Sequence, residues 1–185
     1  MTTSRPTDAR RLVLISGPIA SGKTTVAFKL AAVARRRGQP AASIDIDELV
    51  EMIAGADWSL VRPEDRDLSC EVAAAIAERL FDSGVSVVVV AGSTLSSREW
   101  DQLLRHLVAK PDTLFVLLRV SLGESVRRAQ GDPTRVSTKD PNFVSRLYSR
   151  IDWADVHRPD IDLFTDSLSV EEVVEIVARA VFATP

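Results

Sequence analysis

Two hydrophobic patterns alternate along the chain. Short apolar runs alternate with longer stretches in which apolar residues recur every three to four positions. The runs predict strands at 11–16, 41–45, 85–90, 113–118 and 161–164. The longer stretches predict helices running to about 37, over 48–54, 64–83, 96–108 and 142–153, and onward from 121 and from 169. Ser96-x-x-Glu99, Ser121-x-x-Glu124 and Ser169-x-x-Glu172 are capping boxes that mark helix starts. Gly38 and Gly84 stop helices, and Pro111 breaks one. The inward faces read as Val26, Leu30, Val33 and Ala34; then Leu68, Val72, Ala75, Ile76 and Leu80; and lastly Val170, Val173, Val174, Val177 and Val181. Val85–Val90 is a near-continuous β-branched run, as expected for a central parallel strand covered on both faces. Residues 130–141 are polar, with one Gly and two Pro, and read as a loop. Strands alternating with helices imply an α/β, doubly wound parallel sheet, whose ligands bind at the carboxyl ends of the strands.

The stretch between the first strand and its helix, Gly17-Pro18-Ile19-Ala20-Ser21-Gly22-Lys23-Thr24, fits G-x-x-x-x-G-K-[ST] in the strand–loop–helix context that the P-loop needs. Glycines let successive N–H groups curl inward into an anion-binding nest, and the following helix adds its positive end. Lys23 reaches the β- and γ-phosphates, and the Thr24 hydroxyl ligates Mg²⁺. Thr25 closes the phosphate-binding set. Pro18 has no N–H, so the cradle's donors start at Ile19.

Asp45-Ile46-Asp47 leaves the second strand at the same edge. Alternate residues of an extended segment point the same way, which predicts both carboxylates on the cleft side. Phosphoryl transfer needs a held Mg²⁺ and a group that orients the acceptor hydroxyl. Asp45 is read as the metal-side carboxylate and Asp47 as the acceptor-side base. The competing use is N-capping of the helix that starts at Glu48, for which Asp47 is well placed. Arg127, Arg128 and Arg135, in and before the polar loop, are candidate lid arginines. Arg128 and Arg135 are preferred, although Glu124 lies four residues before Arg128 and could instead pair with it on the helix surface.

The P-loop, the Asp-x-Asp and the Arg-bearing lid resemble the small P-loop kinases, a group that includes shikimate, gluconate and adenylylsulfate kinases and chloramphenicol phosphotransferase. The resemblance spans about 11–182. It implies a three-layer fold with a five-stranded parallel sheet of order 2-3-1-4-5 and helices on both faces. It also implies ATP with Mg²⁺, lid arginines closing over the nucleotide, and a carboxylate at Asp47 that contacts the acceptor hydroxyl. One departure stands out. Where many P-loop proteins carry an acidic residue after the third strand, this chain has Ala91-Gly92-Ser93-Thr94. That shifts metal binding onto Asp45, and the Ala-Gly pair suggests close backbone approach to a ligand. Trp58, Arg62, Arg66, Ser93, Thr94 and Arg98 are the acceptor-pocket candidates, beside Asp47.

The remaining features set bounds. Length and patterning suggest one domain, 11–185, with a lid at about 127–141, behind a polar tail, 1–10, that lacks the apolar region of a signal peptide. The run Val85–Ala91 is too short to span a bilayer. A net charge of −3 argues against a nucleic-acid partner held by bulk charge, and Arg35-Arg36-Arg37 read as a solvated helix end. Cys70 is the sole cysteine, which excludes an internal disulfide and suits a reducing cytoplasm. His106 and His157 show no partner pattern and are read as structural. The expectation is therefore an ATP-dependent kinase of a small hydroxylated metabolite or antibiotic, monomeric or homodimeric. A nucleoside kinase and a non-catalytic ATP switch are the alternatives.

Overall fold

The computed structural model describes residues 10–93, 96–133 and 139–182. Five parallel strands, β1 (Arg11–Ser16), β2 (Ala41–Asp45), β3 (Val87–Gly92), β4 (Asp112–Arg119) and β5 (Ile161–Phe164), form one sheet of order β2-β3-β1-β4-β5. The order is the one the resemblance implies. Among the described residues, seven helices accompany it: α1 (Lys23–Arg36), α2 (Ile46–Ala54), α3 (Pro63–Asp82), α4 (Ser97–Arg105), α5 (Leu122–Gly131), α6 (Pro141–Ser149) and α7 (Val170–Phe182).

Two cores result, because successive strand residues point to opposite faces. Leu12, Leu14, Val88 and Val90 face α2, α3 and α4, where Phe81, Trp100 and Phe115 fill the space. Val13, Ile15, Val87 and Val89 face α1 and α7, against Leu30 and Val177. β3 is buried along its whole length, which accounts for its apolar sequence with four successive valines.

The periodicities hold best for α1 and α7, where Val26, Leu30, Ala34, Val173, Val174, Val177 and Val181 are buried. The buried face of α3 differs from the expected one. Ser69, Cys70, Ala73, Ala74, Ala77 and Phe81 lie inside, whereas Leu68 is 45% and Ile76 is 37% exposed. Small side chains let α3 sit close to the sheet, and the larger ones fan out at the margins. α6 also ends earlier than expected, at Ser149, and β3 begins two residues later. After α6 the chain runs back to α4, where Ser96 bridges Val156 and His157 stacks on Trp100 at 4.7 Å. That contact fits the structural reading of His157.

Burial of Cys70 pushes its thiol up to about 12. The native protein is expected to resist alkylation by iodoacetamide at pH 8 and to take up one label when unfolded in guanidinium, as read by intact mass. Labelling of the native protein at the unfolded rate would contradict the packing of α3. Among the described residues, no helix is long and apolar enough to cross a membrane.

Candidate active site

The loop from Gly17 to Gly22 joins β1 to α1 at the carboxyl edge of the sheet. A Cβ at Gly17 would lie 2.3 Å from the Leu118 carbonyl oxygen and 2.7 Å from Ser21 Oγ, so only glycine fits beside β4. Gly22 takes φ 95° as it caps α1, a left-handed conformation in which a Cβ is costly. Ala20 also sits at φ 58°, which turns the backbone sharply inside the loop. Ser21 Oγ is buried with no hydrogen-bond partner among the described residues. A buried hydroxyl is rarely left unpaired, and an incoming phosphate oxygen would satisfy it. Lys23 is 6% exposed. Its Nζ donates to the Pro18 carbonyl at 3.2 Å, across the loop that it closes. Thr24 and Thr25 are exposed at the first turn of α1.

β2 ends beside this loop. α2 starts at Ile46 rather than Glu48, and its N-cap is Asp45, not Asp47. Asp45 Oδ1 accepts from the Asp47 amide at 2.9 Å, while its Oδ2 accepts from Thr24 Oγ1 at 2.6 Å. Asp47 therefore belongs to the first turn of α2, not to an extended segment. Both carboxylates still meet the cleft, by a different geometry from the one expected. Asp47 Oδ2 lies 3.8 Å from Lys23 Nζ.

Asp47 is held from behind. The Ser93 amide donates to its Oδ1 at 3.0 Å and Ser93 Oγ to its Oδ2 at 3.1 Å. The Ser93 carbonyl accepts from Arg66 Nη2 at 2.8 Å, and Arg66 Nε pairs with Glu99. Glu99 also takes Ser96 Oγ at 2.9 Å, in the capping box of α4. Four elements thus fix one carboxylate. Gly92 approaches Ile46: a Cβ there would stand 2.9 Å from Ile46 Cβ, so the glycine lets α2 dock on β3.

The other acceptor-side candidates lie around this edge, but their charges are committed. Arg62 caps α3 and pairs with Asp65 at 2.8 Å, and this contact holds the Asp65 carboxyl down at about 2. Arg98 pairs with Asp67. Trp58 Nε1 donates to Glu51 Oε1 at 3.0 Å. Thr94 lies outside the described residues.

On the opposite side of the loop, Ala20, Ser21 and Gly22, Arg127 and Arg128 of α5, and the turn Thr165–Ser169 enclose a cleft of about 470 Å³. Arg128 donates to Glu124 at 2.7 Å and to the Thr165 carbonyl at 2.6 Å, and its Nη1 lies 3.5 Å from the Ala20 carbonyl. Arg127, with a side chain 73% exposed, shares Glu124 with it. Hydrogen bonds from the two arginines lower the Glu124 carboxyl to about 2. Arg135 lies outside the described residues. The turn after β5 was not among the sequence candidates. It carries no motif, but its position at the carboxyl end of a parallel strand is itself the signal that would have found it.

A phosphate cradle on a five-stranded sheet of this order, with a carboxylate beside the cradle lysine, defines a P-loop kinase. The adenylylsulphate kinase profile matches residues 10–137, and the chain belongs to that family. Comparison with curated protein sequences finds no match. Among solved structures, the fold is similar to "APE1195", at 21% identity and TM-score 0.75 over 97% of this chain and 99% of that one. It is similar to the Mycobacterium tuberculosis APS kinase CysC in complex with AMPPNP and APS, at 22% identity and TM-score 0.70 over 94% and 98%. It is also similar to a gluconokinase from Sinorhizobium meliloti 1021, at 20% identity and TM-score 0.63 over 95% and 94%. At these identities the likeness is one of fold.

Proposed function

We propose that the chain transfers the γ-phosphoryl group of ATP, with Mg²⁺, to a hydroxyl of a small molecule, and that Asp47 orients that hydroxyl. One observation carries the reading: the Asp47 carboxylate lies 3.8 Å from the ammonium of the cradle lysine. A group that aligns an acceptor must sit next to the group that receives the γ-phosphate, and these two are neighbours. In the proposed domain, 11–185, the loop amides and Lys23 hold the phosphates. The cleft against Thr165–Ser169 takes the nucleoside, and Arg127 and Arg128 bring positive charge to its mouth. Arg135, in the proposed lid, is assigned to the phosphoryl group.

The hard oxygens of Thr24 and Asp45, 2.6 Å apart, suit Mg²⁺. Among the described residues, no three carboxylate, histidine or cysteine groups could hold a metal by themselves. An ion shared with phosphate oxygens fits that set. When bound, Mg²⁺ neutralises charge on the phosphates.

The acceptor oxygen attacks the γ-phosphorus in line. The new O–P bond forms as the bond to the leaving oxygen of ADP breaks, and the hydroxyl proton passes to Asp47. The paired donors from Ser93 hold that carboxylate in place. The test incubates the protein with Mg–ATP and a panel of sugars, nucleosides, hydroxy acids and antibiotics, and looks for a mass gain of one phosphoryl group. Asp47→Asn is expected to lower the rate by about 10²–10⁴-fold. Transfer at the wild-type rate would remove Asp47 from the acceptor role. ATP-dependent binding of a protein partner with no acceptor phosphorylated would favour a switch.

A further inference from the structure

We infer that Ser125 is a positioning residue of the phosphate cradle: it holds the Ile19 carbonyl and thereby aims the Ala20 N–H at the nucleotide phosphates. The inference rests on the kinase reading above and assigns to that same site a residue far outside its motif. Ser125 lies within α5 and is fully buried. A helical serine commonly turns its hydroxyl back to the carbonyl four residues earlier. The Ser125 hydroxyl instead leaves its helix and donates to the Ile19 carbonyl at 2.8 Å, 106 positions away. Arg128, three residues on and so on the same face of α5, places Nη1 3.5 Å from the Ala20 carbonyl. α5 thus touches the peptide groups on both sides of the Ala20 Cα. Those two planes set the backbone angles of Ala20. Its φ of 58° is costly for a residue with a side chain and persists only where the surroundings impose it.

The carbonyl and the N–H of a trans peptide point in opposite directions. The described chain has no cis peptide bond. Holding the Ile19 carbonyl toward α5 therefore turns the Ala20 N–H away from α5, into the loop. Ala20 is buried, and its N–H donates to no described residue. Buried backbone donors are rarely left so, and an anion in the nest supplies the acceptor. The next residue repeats the pattern with its hydroxyl, since Ser21 Oγ is buried and unpaired. Ser125 is itself supported. Tyr148 of α6, which donates to the Val120 carbonyl at 3.1 Å, stands within hydrogen-bond reach of it. The two helices on either side of residues 132–140 thus meet at the hydroxyl that steers the cradle.

The test follows the Ala20 amide by proton–nitrogen NMR while Mg–AMPPNP, Mg–ADP or adenosine is added to the wild type and to Ser125→Ala. Ser125 does not line the cleft assigned to the nucleoside, so adenosine serves as the control. In the wild type the Ala20 proton is expected to move downfield with both phosphorylated probes, as an N–H does on donating to an anionic oxygen, and to stay in place with adenosine. Ser125→Ala should lose at least half of that displacement. It should also weaken Mg–AMPPNP by about 10–100-fold, the range of one hydrogen bond to a charged group, with the adenosine Kd unchanged. Ser125→Cys, whose thiol is a weaker donor of similar shape, should fall between the two. A serine needed only for packing would lower the Tm of the unliganded protein and leave the Ala20 displacement and the ratio of the two Kd values alone. The inference is overturned if Ser125→Ala binds Mg–AMPPNP as the wild type does, if it weakens adenosine by the same factor, or if Ser125→Cys restores nothing. Binding of Mg–AMPPNP to the wild type without displacement at Ala20 also overturns it, and leaves the kinase reading standing. Absence of any binding of Mg–AMPPNP to the wild type sinks the kinase reading, and this inference with it.

Discussion

Lys23→Ala lowers phosphoryl transfer by at least about a thousandfold while the protein stays folded. The magnitude follows from the loss of a preorganised positive group aimed at developing charge, where a single donor is worth about 10²–10³ in kcat. Lys23 adds a full charge to that, in a position 6% exposed and therefore poorly screened. Its two contacts, the Pro18 carbonyl and Asp47, also order the loop and the Asp47 carboxylate. Lys23→Arg is expected to fail as a rescue, because a planar guanidinium does not fit a slot built for a compact ammonium. Single-turnover rates with the best panel acceptor decide the point, with circular dichroism to verify folding. A Lys23→Ala rate within tenfold of wild type would mean that the ammonium is not at the reacting phosphate.

Gly17→Ala is the substitution with the largest expected structural effect. The added methyl would stand 2.3 Å from the Leu118 carbonyl oxygen, a backbone atom of β4 that cannot swing away. Either β4 or the loop must move. Overpacking of this kind costs about 1–3 kcal/mol. For a chain of this size, about 3 kcal/mol corresponds to a fall in Tm of roughly 6–12 °C. The nucleotide-induced Tm shift should vanish as well, since the amides of the nest leave register with the phosphates. Gly123→Ala, at a position with nothing within 4 Å, serves as the control and should leave Tm nearly unchanged. Equal Tm values for the two variants would show that the loop does not pack on β4 as described.

The chain displays its fold readily because the fold is built from local periodicities. β3 reads as a central strand since every residue in it is buried, and α7 reads correctly since its large valines carry the packing. α3 was misphased for the opposite reason. Apart from Phe81, its buried residues are mostly Ala, Ser and Cys, which carry little hydrophobic signal, while Leu68 and Ile76 lie outside. The cradle was legible as a contiguous motif. The start of α2 was not, because Asp45 and Asp47 are equally good caps by residue type, and only the bond from Thr24, 21 residues away, selects between their roles. The support of Asp47 by Ser93, Arg66 and Glu99 joins residues up to 46 positions apart, and no spacing rule encodes it. Likewise, Arg62, Arg66 and Arg98 looked like free pocket charges until their carboxylate partners were located in space.

Asp45 divides its two oxygens between Thr24 and the amide of Asp47. This makes the two halves of the site inseparable for protein engineering. Transplanting α2 from another kinase to change acceptor choice would also import a new helix start, and so disturb the Thr24 hydroxyl that bonds to Asp45. A graft has to begin at Ile44 and carry Asp45 with it; one that begins at Ile46 exchanges the acceptor surface but loses the joint on which its register depends.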